Sequence, residues 1–149
     1  MLRLSQTDMG RIISIDYGTK RVGIAVTDEL QIIASGLTTV HSTEVIPFLQ
    51  DYTTKNDVEC LVVGEPKRLS GEATDSTEAI ENFVKHLTRS FPTIPVERMD
   101  ERFTSKIASQ AIFMGGAKKK KRQEKGLVDE VSATIILQDY MEMKSKGFI

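Results

Sequence analysis

Cysteine is almost absent from this chain: Cys60 is the only one in 149 residues. A single thiol cannot close an intramolecular disulfide, and it excludes a cysteine-based metal site. Histidine is nearly as scarce, with His41 and His86 alone. They match no metal-ligand spacing, and both are expected at the surface. No apolar run approaches the roughly 20 residues needed to span a bilayer as a helix. Met1 to Gly10 carry no apolar signal core, so a cytosolic protein is the expectation. Internal repeats and low-complexity linkers are also missing. What remains is 40% hydrophobic and 28% charged, the composition of an ordinary globular chain. The length fits one compact domain spanning residues 1–149, with Met1 to Met9 polar and expected to fray.

A large net charge is lacking as well. The total is −1, so the whole-chain balance does not announce a polyanionic partner. The distribution says more. From Arg98 to Lys125 there are nine basic residues (Arg98, Arg102, Lys106, Lys118, Lys119, Lys120, Lys121, Arg122 and Lys125) against three acidic ones. Nine against three is a local +6, which leaves −7 on the rest. A basic stretch on an otherwise acidic chain suits a localised phosphate-binding surface. A solvated loop without a partner accounts for a lysine run about equally well.

The apolar pattern divides the chain into elements. Arg11 to Asp16, Val22 to Thr27 and Gln31 to Val40 read as three strands, close enough in sequence for antiparallel hairpins. Thr43 to Lys55 has helical spacing, with Val45, Ile46, Leu49 and Tyr52 on one side. Pro47 is tolerable there only near the helix start. Cys60 to Val63 is a wholly apolar strand of the kind buried on both faces, with Cys60 expected as a small buried hydrophobe. Glu72 to Ser90 reads as a helix, Pro95 to Met99 as a strand, Thr104 to Met114 as a helix ended by Gly115-Gly116, and Leu127 to Met143 as the last helix. A hairpin meander leading into βαβ units predicts an α/β domain: a five-stranded mixed sheet with helices on both faces. In such sheets sites form at the carboxyl ends of the central strands.

Acidic residues stand at those ends. Asp16 closes the first strand, Asp100 and Glu101 close the last, and Asp129 opens the final helix. Singly, each has an ordinary explanation, because turns favour Asp and a helix start favours a carboxylate by roughly 0.3–1 kcal/mol. Together they suggest more. If the first and last strands end on the same side, the carboxylates approach, repel one another and invite a cation. Oxygen ligands without thiols suit Mg²⁺ or Mn²⁺. Ser132 and Ala133, on the face of Asp129, are small enough to let the helix sit close to the sheet. Gly18 permits a positive φ in the turn after Asp16, and Gly23 leaves room for a backbone or ligand to approach the second strand. Lys20 and Arg21 flank the candidate cluster. Lys67 and Arg68 follow Gly64-Glu65-Pro66, and Arg102 can grip a phosphate bidentately. With Lys118, Lys119, Lys120, Lys121 and Arg122, these are the candidate nucleic-acid contacts.

The blocks Asp16-x-Gly18-x-x-Arg21-x-Gly23-Ile24-Ala25, Gly64-x-Pro66, Asp100-Glu101-Arg102-x-Thr104 and Asp129-x-x-Ser132-Ala133 resemble the YqgF (RuvX) family over nearly the whole chain. The four in this order and length are specific; any one alone would be weak. The resemblance implies a ribonuclease H-like fold and a bacterial cytoplasmic nuclease. The family is described both as a Holliday junction resolvase and as the enzyme maturing the 5′ end of 16S rRNA from its precursor. It implies Asp16, Glu101 and Asp129 as catalytic metal ligands, with Asp100 adjacent to Glu101 and able to take its role. Glu65 and Ser105 depart mildly from the family's usual residues.

The expectation is therefore metal-dependent phosphodiester hydrolysis by one or two Mg²⁺ or Mn²⁺ ions, on structured nucleic acid, with precursor rRNA favoured over branched DNA and no membrane partner. A monomer or weak homodimer is expected. One competing reading keeps the basic face as a binding module with no chemistry. Another notes that an Asp-x-Gly-Thr turn also holds ATP phosphates in the sugar kinase and actin superfamily. That architecture needs two such domains, and this length has room for one.

Overall fold

The computed structural model describes residues 10–65, 75–100, 125–145 and 147. The expected fraying of residues 1–9 and the expected helix over Thr104 to Met114 lie outside the described residues. Within them the order is β1 (Arg11–Asp16), β2 (Arg21–Thr27), β3 (Ala34–His41), α1 (Val45–Lys55), β4 (Val58–Glu65), α2 (Asp75–Ser90), β5 (Val96–Asp100) and α3 (Lys125–Ser145).

The strands form one five-stranded sheet in the order β3-β2-β1-β4-β5. The β1–β2 and β2–β3 pairs are antiparallel, and the β1–β4 and β4–β5 pairs are parallel. The mixed sheet with hairpins first and crossovers second thus stands as expected. Because β1, β4 and β5 run in one direction, Asp16, Glu65 and Asp100 come out on the same edge. Register sets Glu65 opposite Asp100.

Both faces of the sheet are covered. On one, Ile13 and Ile15 of β1, Val22, Ile24 and Val26 of β2, and Leu61 and Val63 of β4 pack against α1 and α2 through Val45, Ile46, Leu49, Ile80, Phe83 and Leu87. On the other, Ile12, Ala25, Cys60 and Val62 pack against Ala133, Ile136, Leu137 and Tyr140 of α3. Strands β1 and β4 are therefore apolar on both sides, which is why their sequences read as continuous runs instead of alternating. Each fully buried Ile or Leu contributes on the order of 1.5–3 kcal/mol. Pro47 falls in the first turn of α1, where its missing N–H has no helical partner to lose. Asn56 closes that helix in an extended conformation, its N–H donating to the Tyr52 carbonyl at 3.0 Å.

Most boundaries shift by a residue or more from the sequence expectation, and two of the shifts have consequences. Strand β3 begins at Ala34, not Gln31. The Asp28 carboxylate gathers the chain before it: Oδ1 accepts from the N–H groups of Ile32 at 2.7 Å and Ile33 at 2.8 Å, and Oδ2 accepts from Leu30 at 3.2 Å. Gln31 adopts a left-handed φ of 58° to close the loop. The second difference lies in α3, which starts at Lys125, so Asp129 sits a full turn inside the helix and does not open it. A helix-dipole explanation for that acid loses its basis.

The backbone N–H groups on Asp28, that of Ile33 foremost, hold its carboxyl below the usual 3.8. A carboxyl depressed in the folded state contributes stability above its unfolded pKa and loses it as pH falls through the folded value. Amide protection factors at Leu30, Ile32 and Ile33 are expected to drop below about pH 4. Asp28→Ala is expected to lower them already at neutral pH, and Asp28→Asn, which keeps one acceptor oxygen, to lower them less. Protection in Asp28→Ala equal to that of the wild type would refute this account of the loop.

Candidate active site

Side chains alternate across a strand, and β1 shows it: Ile13 and Ile15 face α1 and α2, whereas Ile12 and Ser14 face α3. Asp16 continues the second set and stands on the α3 side of the sheet, at its carboxyl edge. The antiparallel partner of Asp16 is Gly23, and facing Cα atoms in such pairs are about 4.5–5.5 Å apart.

Gly23 is where α3 touches down. A Cβ added there would lie 2.1 Å from the Asp129 carbonyl oxygen and 3.0 Å from the Asp129 Cβ. The helix backbone thus occupies the space of the absent side chain, and Asp16 and Asp129 become joint neighbours of one glycine. One turn further along, the Ser14 hydroxyl donates to the Ala133 carbonyl, and Ser132 and Ala133 are 2% and 0% exposed. The expectation that small residues bring this helix close to the strand ends is met. The expectation for Gly18 is not. It has no positive φ; a Cβ there would come within 2.6 Å of the Arg21 carbonyl oxygen. That turn is tied to the start of α1, with the Ser42 hydroxyl donating to the Thr19 carbonyl at 2.7 Å and the Ser42 N–H to that of Lys20 at 3.1 Å.

The bases are placed unequally. Lys20 is exposed at the turn. Arg21 does not stand free for a phosphate: its Nε–H donates to Asp129 Oδ2 at 3.0 Å. Residue spacing alone offered no sign of this pair, although Arg21 and Gly23 share a strand face and Gly23 is where the helix seats. Arg98 binds Glu81 of α2 at 2.6 Å, so this member of the basic segment is already engaged. Glu130, the acid beside Asp129, turns towards β3 and accepts from the Thr39 hydroxyl at 3.3 Å. His41 and His86 are exposed, as expected. Glu101, Arg102, Lys67, Arg68 and Lys118, Lys119, Lys120, Lys121 and Arg122 lie outside the described residues. Asp100 is placed by its backbone at the end of β5, on the edge of Asp16.

Among the described residues no three acidic, histidine or cysteine side chains converge on one point. The corner at Gly23 supplies two carboxylates and one guanidinium. This donor set is hard, and the only thiol is buried under α3 beside Tyr140. It therefore fits Mg²⁺ or Mn²⁺ better than a softer ion, provided a third acid joins.

A sheet ordered 3-2-1-4-5 with β2 antiparallel and helices on both faces is a ribonuclease H-like fold. The architecture matches RuvC of T. thermophilus in complex with a Holliday junction substrate, with a TM-score of 0.54 and 14% identity over 89% of this chain and 95% of that one. It also matches the fowlpox virus resolvase bound to Holliday junction DNA, with a TM-score of 0.50 and 15% identity over 90% and 98%. Identities this low speak for the fold alone. Sequence speaks for the family. Residues 10–143 match RuvX, described as "Holliday junction resolvase", and the chain belongs to that family. A relative from Flavobacterium psychrophilum, named "Putative pre-16S rRNA nuclease", is 58% identical over 91% of this chain and 99% of its own. One of the same name from Bacteroides thetaiotaomicron is 53% identical over the same shares.

The seat at Gly23 makes a direct prediction. Gly23→Ala forces the start of α3 outwards and is expected to cost about 1–3 kcal/mol in urea unfolding. Gly36→Ala, whose added Cβ would meet first the flexible Glu130 carboxylate at 3.3 Å, is expected to stay within about 0.5 kcal/mol. Equal effects at the two glycines would show that the helix is not held at Gly23.

Proposed function

We propose that this chain is a metal-dependent nuclease that hydrolyses phosphodiester bonds in structured nucleic acid. Precursor 16S rRNA is its favoured substrate, the cytoplasm its place of work, and residues 1–149 a single catalytic domain. The observation that carries this reading is the corner at Gly23, the register partner of Asp16 and the seat of the Asp129 backbone, at the carboxyl edge of a ribonuclease H-like sheet. The names of the relatives supply the substrate class.

Asp16 and Asp129 would hold the ion from two sides, with Glu101 as the third ligand. Asp100, its neighbour in the sequence, could take the role of Glu101. A divalent ion held there supplies an activated water and charge for the departing oxygen, as one ion or a pair. The remaining work falls to the chain. Asp16 is fixed by a strand buried on both faces, and Asp129 by a helix backbone with no room to shift, so the carboxylates need little rearrangement. Lys20, Arg21, Lys67, Arg68, Arg102 and the run Lys118, Lys119, Lys120, Lys121 and Arg122 would hold backbone phosphates. A double-stranded RNA would be gripped by shape and 2′-hydroxyls, not by base sequence.

Purified protein incubated with precursor rRNA, and separately with a four-way DNA junction, in Mg²⁺ and in Mn²⁺, tests the reading. Cleavage of the RNA is expected. Asp16→Asn is expected to reduce it about a thousandfold, the ~4 kcal/mol that such ion chemistry supplies. Undiminished activity in Asp16→Asn would refute the assignment, and cleavage of the junction alone would move the substrate to branched DNA. RNA binding is expected to weaken steeply with salt, the slope growing with each phosphate neutralised.

A further inference from the structure

We propose that Arg21 is a resident counter-ion of Asp129 that a divalent cation must displace, so that this arginine sets how much cation the site requires. The inference rests on the reading of Asp16 and Asp129 as ion ligands and deepens it.

The pair is asymmetric. The Asp129 side chain is 21% exposed and that of Arg21 44%. Asp129 is seated by its own backbone against Gly23, and the next turn of its helix is pinned by the Ser14 hydroxyl on the Ala133 carbonyl. Its position therefore does not depend on the arginine. Arg21 stands at the first residue of β2, next to an exposed turn, and its long side chain is free to swing outwards. The neighbouring acid Glu130 is turned towards Thr39, and the Arg21 Nε–H is held by Asp129.

The guanidinium sits on Asp129 Oδ2 at 3.0 Å, and a divalent ion on either oxygen of that carboxylate would stand close enough to repel it strongly. Cation entry at Asp129 therefore expels the guanidinium, and the arginine turns to the open edge where a substrate phosphate would arrive. Arg21 would thus neutralise Asp129 in the empty site and meet a phosphate in the loaded one.

Isothermal titration of the full chain with Mn²⁺ tests this. Arg21→Gln is expected to bind Mn²⁺ roughly two- to fivefold more tightly than the wild type, the fold-change that corresponds to losing a partly exposed ion pair. Arg21→Lys, which keeps the charge without the Nε, is expected between them. Affinity in Arg21→Gln that is unchanged or weaker overturns the proposal. A wild type that takes up no Mn²⁺ overturns the ion-ligand reading itself, and this one with it. Should the glutamine variant fail to fold, the Arg21 Nε–H resonance of the wild type decides. A shift on titration with diamagnetic Mg²⁺ supports displacement, and an unmoved signal at saturation overturns it.

Discussion

The seating of α3 on Gly23 of β2 is the contact from which the rest of the arrangement follows. A helix backbone normally stands off a sheet by the thickness of two side chains. Here one of them is missing, and the Asp129 carbonyl lies where a Cβ would be. Ser132, Ala133 and Ala25 keep the adjoining contact equally thin, and the fully buried Ser14 hydroxyl satisfies itself on a helix carbonyl. Behind this tight front turn the helix splays onto larger residues, with Ile136, Leu137 and Tyr140 over Ile12, Cys60 and Val62. Small residues towards the carboxyl edge and large ones away from it let the Asp129 turn sit against Gly23, the register partner of Asp16. The same packing that builds the core thereby spaces the acids.

Much of this was legible in the residues because the signals were backbone signals. The apolar run at β4 announced a strand buried on both sides, and the acidic ends of the first and last strands pointed to one edge if those strands ended on the same side. Gly23 and the Ser132-Ala133 pair announced a close approach. What was not legible depended on single side chains far apart in sequence. The Asp28 carboxylate looks like an ordinary turn residue, yet it draws three N–H groups and removes Gln31, Ile32 and Ile33 from the strand that their composition suggests. The sequence pattern starts the last helix at Leu127, which puts Asp129 in its opening turn, whereas the helix begins two residues earlier, at Lys125. The Arg21–Asp129 pair spans 108 residues, a separation that no local pattern encodes.

Three other ion pairs among the described residues follow a common plan. Arg98–Glu81 ties β5 to α2, Lys144–Glu59 ties the end of α3 to β4, and Arg11–Glu29 ties β1 to the loop after β2. Each joins two elements already packed, and pairs this exposed are worth about 0–1 kcal/mol. They guide register more than they stabilise. They also remove Arg98 from the bases that could meet a phosphate.

Cys60 carries a consequence of a different kind. It lies beneath α3 with its Sγ 3.6 Å from the Tyr140 hydroxyl, and burial pushes its thiol up. Only a thiolate attacks disulfides and alkylating reagents readily, so burial slows the reaction of Cys60 with them. Since no other cysteine exists in the chain, any labelling under native conditions marks moments when α3 lifts from the sheet. The protein thus contains its own clock for the opening of the element that carries Asp129.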